Sequence, residues 1–190
     1  MTFADLAIHE HIYLDANTLV YHFSSHQVFG PSANQLMTRS ENHEVEGYTS
    51  THVLSEAAHR LMMIEAATLP GWKQTKVKLR LLQQPSALQN LHLFRRAVET
   101  VLHSRIQTFT IAPPLIVSAA VVSQQTGLLT NDALIVAIMQ QHGFNQPRQP
   151  RYRLRPRAGD HTLCAGLNAW PVIACRLGIL VILIPVSARC

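Results

Sequence analysis

The sequence predicts an α/β domain built around a parallel sheet. Strand-like and helix-like segments alternate in the order strand, helices, strand, helices. The strand-like runs are short and rich in β-branched and aromatic residues, and the helical runs that follow begin with capping or breaking residues. The first 142 residues of the 190-residue chain are enough to bury one sizeable core.

The elements follow in chain order. His11–Asp15 (HIYLD) reads as the first strand, and Asn17–Ser25 can start a helix behind it. Ser50 or Thr51 can cap a helix running to about Thr68, with Val53, Leu54, Ala57, Ala58, Leu61 and Met62 at helical spacing. Pro70 and Gly71 break it, and Val77–Leu82 fits either state. Ala87–Ser104 reads as one amphipathic helix and Gln107–Ile111 (QTFTI) as a second strand. Leu115–Gln125 is helical and stops at Gly127. A last helix starts at Thr130 or Asn131, with Asn131 the expected cap, and ends at His142 and Gly143.

The chain changes character after Gly143. Residues 1–142 carry nine Lys and Arg against ten Asp and Glu, whereas residues 143–190 carry seven Arg and one acid, Asp160. The pI near 9.5 therefore belongs to the tail and does not mark the body as a basic nucleic-acid-binding domain. All three cysteines (Cys164, Cys175 and Cys190) and five of the ten prolines also lie there. A body without cysteine suits a reducing compartment. Met1–Glu10 contains acids and no long apolar core, so no secretory signal is expected. Trp170–Val186 is the one membrane-like run, but it is short and contains Arg176 and two prolines, which favours an accidental apolar stretch. The expected organisation is one domain over 1–142 and a tail over 143–190 that is not a domain.

Three acids stand out by position. Asp15 ends the first strand, where open α/β sheets gather ligands, although it could equally cap the next helix. Glu56 lies within a helix and could form an ordinary exposed pair with Arg60, four residues on. Asp132 falls in a first helical turn, where an acid complements the helix dipole. The histidines lack zinc-site spacing: His52 and His59 are seven apart, and His22 and His26 are four apart with no acid between.

Taken together, IYLDANTLVYHF (Ile12–Phe23), GYTSTHVLSEAAHRLMMIEA (Gly47–Ala66) and GLLTNDALIVAIM (Gly127–Met139) resemble the three acid-bearing motifs of PIN-domain ribonucleases, the group that includes VapC toxins. The resemblance covers roughly residues 10–142. It implies a three-layer α/β/α fold and Mg²⁺- or Mn²⁺-dependent hydrolysis of RNA by Asp15, Glu56 and Asp132. Asp15 and Asp132 would ligate the metal, and Glu56 would ligate it or orient the attacking water. Hard carboxylate oxygens suit both cations. It further implies a toxin with a cognate antitoxin protein and frequent formation of a homodimer; a cytoplasmic location without membrane attachment is expected from the composition above. Thr130 and Asn131 could support Asp132, with helix capping the simpler role.

The chain departs from this family pattern after the third motif, where a further acid and one or two last strands are expected. Instead, Gln146–Arg157 alternates Arg and Pro, which disfavours a central strand. Synonymous codons for Phe144–Ala165, read one base later, permit LTNLASHDTDFDRVPGITRYA, a peptide with an apolar strand and an acidic DxDF turn. A one-base shift near codons 143–144 is therefore expected to have replaced the natural end, leaving the sheet without its normal last strands. Two further readings follow from the same residues. An inactive PIN-like module that binds an antitoxin or RNA shares every motif. A dehalogenase-type phosphohydrolase is suggested by LDANTL, but Asn17 stands where a second Asp is needed and no Lys follows Lys78.

Overall fold

A computed structural model describes residues 6–72, 75–142, 172–174 and 180–184, the last two groups as backbone strands. The chain runs β1 (Glu10–Leu14), α1 (Ala16–Phe23), α2 (Gly30–Glu41), β2 (Val45–Ser50) and α3 (Thr51–Ala67). It continues through α4 (Val77–Gln83), α5 (Pro85–Gln89), α6 (Leu93–His103), β3 (Gln107–Phe109), α7 (Pro113–Thr126) and α8 (Thr130–Gln141), then β4 (Val172–Ala174) and β5 (Leu180–Ile184).

Burial on both faces suits β1 to the middle of the sheet: Ile12, Tyr13 and Leu14 are all fully buried, so neither face of the strand meets water. It pairs in parallel with β2, Ile12 opposite Gly47 and Tyr13 opposite Tyr48, and β2 pairs in parallel with β3. Helices flank this sheet. Leu19 of α1, Leu36 of α2, Leu61 of α3, Val101 of α6 and Ile138 of α8 join the strand residues in one core. The expected α/β fold with a parallel central sheet is what forms.

Several elements differ from expectation. β2 and α2 were not anticipated, because Gly47 interrupts the strand run and α2 has a weak apolar pattern. A Cβ at Gly47 would lie 2.5 Å from Ser40 Oγ, so glycine is what lets α2 lie against β2. The ambiguous Val77–Leu82 run is helical, forming α4. The single helix expected over Ala87–Ser104 is divided into α5 and α6. Its break is held from a distance: Glu65 of α3 accepts the backbone N–H groups of His92 at 3.0 Å and Leu93 at 2.9 Å, capping α6.

At the far side of β1 the sheet has two antiparallel strands instead of an open edge or further parallel strands. The order is β3-β2-β1-β5-β4, with Tyr13 opposite Ile182 and Leu14 opposite Val181. The physical reason is local: LVILI is an unbroken run of strand formers, and β1 offers unpaired backbone groups on that side. The expectation for Gln146–Arg157 lies outside the described residues, as does most of the tail. Among the described residues no helix is long and apolar enough to cross a membrane.

Candidate active site

The carboxyl end of β1 is tied to β2 by the buried Thr49 hydroxyl, which donates to the Leu14 carbonyl at 3.2 Å. Asp15 follows in extended conformation and caps α1. Its Oδ2 accepts the Asn17 side-chain N–H at 3.0 Å and, more weakly, the Asn17 backbone N–H at 3.4 Å. Capping leaves the second carboxylate oxygen without a hydrogen bond among the described residues.

Ser50 caps α3 by accepting the Val53 N–H, so the helix starts directly from β2 and carries Glu56 to the same end of the sheet. Asp132 arrives from a third direction, in the first turn of α8. The three acids line one cleft of about 420 Å³, together with Asn17, His52 and Asn131. A larger open hollow of about 770 Å³, lined in part by Thr38, Glu41, Arg96 and Glu99, contains none of the three acids.

Burial raises the Asp132 carboxyl above the usual carboxylate range, and the charge of Asp15 raises it further. The two aspartates are thus close enough to repel, a repulsion that a cation between them would relieve. Both offer hard oxygens, and a hydrated Mg²⁺ or Mn²⁺ held by one or two carboxylates fits such a pair. Among the described residues no three His, Cys, Asp or Glu side chains gather tightly enough to hold one ion together.

Two asparagines do what the sequence did not reveal. Asn17 receives Arg60 Nη1 on its Oδ1 at 2.7 Å while donating to Asp15. Arg60 is only 3.9 Å from Glu56, so the expected Glu56–Arg60 pair is the looser of its two contacts. Asn131 does not cap α8. The N-cap position is Leu129, and Asn131 instead joins Glu56 and His52. Proximity to the site acids was visible in the sequence for both asparagines, but their partners 43 and 75 residues away were not.

The PIN domain family model matches residues 12–146, most of the chain and all three acids. The chain is a member of the PIN domain family. A PIN domain is a nuclease-type fold, and members of the family are generally metal-dependent nucleases acting on RNA. The match takes in the strand carrying Asp15 and both helices carrying Glu56 and Asp132, and it ends three residues beyond the change in composition at Gly143. No curated protein and no solved structure matches the chain.

Proposed function

We propose that this PIN-domain protein is a metal-dependent endoribonuclease, the toxin half of a VapC-like toxin-antitoxin pair acting in the cytoplasm. The observation that carries the reading is the meeting of Asp15, Glu56 and Asp132, from three separate segments, in one cleft at the carboxyl end of the parallel strands β1 and β2. Asp15 and Asp132 would hold Mg²⁺ or Mn²⁺. When bound, the cation supplies charge stabilisation to the phosphoryl oxygens and makes water more acidic.

Glu56 orients the attacking water. The water oxygen bonds to phosphorus as the bond to the leaving oxygen breaks. The water proton passes to Glu56, and the leaving oxygen takes a proton from solvent. A cognate antitoxin and a homodimer belong to the same reading.

Purified protein should cleave single-stranded RNA with Mg²⁺ or Mn²⁺ and stop with EDTA. Asp15→Asn and Asp132→Asn should each abolish cleavage, and activity surviving in both would place it elsewhere. A second reading, a binding module for RNA or an antitoxin without efficient catalysis, draws support from the seven arginines of residues 143–190, which attract phosphate and disfavour a nearby cation. Retained RNA binding without cleavage would select it.

A further inference from the structure

We infer that His52 and Asn131 form a positioning relay that holds Glu56 beside the metal position, as the residue that orients water and not as a ligand. This rests on the nuclease reading of the cleft. Asn131 Nδ2 lies 3.3 Å from Glu56 Oε2, and Asn131 Oδ1 lies 3.2 Å from His52 Nε2. An ionised carboxylate only accepts, so the amide must turn its NH₂ to Glu56 and its oxygen to His52. The His52 Nε2 atom must then carry a proton, which fixes the imidazole at that end.

The relay spans the two walls of the cleft. His52 and Glu56 stand on the first two turns of α3, and Asn131 stands on the first turn of α8, next to Asp132. It therefore couples the position of Glu56 to the helix that presents Asp132. The other Glu56 oxygen, Oε1, is 3.9 Å from Arg60 Nη1, an ion-pair distance without a hydrogen bond, and is the oxygen left to meet the water. Asp15 is likewise engaged through one oxygen, Oδ2, by Asn17. Among the described residues no side-chain hydrogen bond engages Asp132. Asp132 thus offers both oxygens and Asp15 one to a cation, while Glu56, held through Oε2 by the relay, keeps Oε1 for the water.

The test uses the full chain and Mn²⁺, with single-stranded RNA as substrate. Asn131→Ala should lower kcat about ten- to a hundredfold, the usual cost of losing an outer partner of a metal site. The KM for RNA and the Mn²⁺ affinity measured by calorimetry should stay within about twofold of wild type, because no cation ligand has been removed. His52→Ala should lower kcat less, and His52→Gln, which keeps a donor, should recover most of it. The double variant Asn131→Ala/His52→Ala should be no slower than Asn131→Ala, since the two residues act in series.

A loss of Mn²⁺ affinity in Asn131→Ala, additive effects in the double variant, or no recovery with His52→Gln would overturn the relay. The geometry has a readout independent of cleavage: an Asn131 side-chain amide proton protected from exchange in NMR, and exposed in Glu56→Ala. Fast exchange in the wild type would overturn the relay. A wild type that binds Mn²⁺ and protects this proton, yet cleaves no RNA, would instead overturn the nuclease reading.

Discussion

The Tyr13 hydroxyl donates a 2.8 Å hydrogen bond to Ser50 Oγ in the protein interior, joining the strand that ends in Asp15 to the cap of the helix that carries Glu56. Burial holds the phenol well above its ordinary pKa, so it remains a neutral donor. One serine oxygen thus accepts from Tyr13 and from the Val53 N–H, fixing the angle at which two of the three acids approach.

Tyr13→Phe should cost about 1 kcal/mol of stability, because Ser50 keeps its cap to Val53 and loses one buried partner. Ser50→Ala should cost more, about 2 kcal/mol, since the cap is lost and the Tyr13 hydroxyl is stranded as well. Urea unfolding of the two variants checks the order. Equal losses would mean that the Tyr13 bond contributes all of the effect and the cap none.

Asp132 should make the metal-free fold less stable as pH rises. Its folded-state pKa lies above the unfolded value, so the folded state binds its proton more tightly. The stabilisation is present below the unfolded carboxylate range and is lost as pH climbs through the raised value. In EDTA, the difference in urea midpoint between wild type and Asp132→Asn should therefore widen from about pH 4 to about pH 7, with the neutral variant the more stable at the upper end. Apparent Mn²⁺ affinity should move oppositely, strengthening with pH as the proton leaves. A flat difference across that range would contradict a carboxyl raised by burial and by the charge of Asp15.

Glu65 offers a variant remote from the cleft. Glu65→Ala removes the acceptor for two backbone donors at the start of α6 and should cost about 1–3 kcal/mol, while Glu65→Gln, keeping one acceptor oxygen, should cost less. Mn²⁺ affinity should be unchanged in both. Thermal unfolding followed by circular dichroism, with calorimetry for the metal, checks the separation.

What was legible in the sequence follows from how local each signal is. Ser50 caps α3 from the adjacent position, so capping chemistry revealed that helix start; Asp15 and Asp132 sit where a strand or turn meets a helix start, which admits a cap as readily as a site, and only the three motifs together singled them out. The break before α6 was hidden because its cap is a carboxylate 27 residues away. Asn131 misled for a related reason: an asparagine at a helix start ordinarily caps, and only the folded chain brings Glu56 and His52 within reach to claim it. β2 was missed because Gly47 answers to Ser40 on α2 and not to the preferences of its own strand. That Asp15 and Glu56 approach follows from the parallel pairing of β1 with β2, and Asp132 joins them through α8, an arrangement no single motif contains.

The tail supplies the last prediction, that residues 144–190 are the product of a one-base shift. Resequencing around codons 140–166 should show that deleting one base restores LTNLASHDTDFDRVPGITRYA or a close variant. Replacing the tail with the restored sequence should raise the metal-dependent cleavage rate, because the DxDF turn adds acidic oxygens to a cleft where, among the described residues, no three acidic or His or Cys side chains gather tightly enough to hold one ion. It should raise the unfolding temperature as well, but by less than covering an open edge would: β5, which pairs with β1 from His11 to Leu14, leaves with the replaced tail, so the new strand substitutes for one ladder instead of adding one. The two effects separate the possibilities. A more active and more stable repaired chain supports a frameshift lesion, whereas a repaired chain that is neither would show that the present tail is the natural partner of β1.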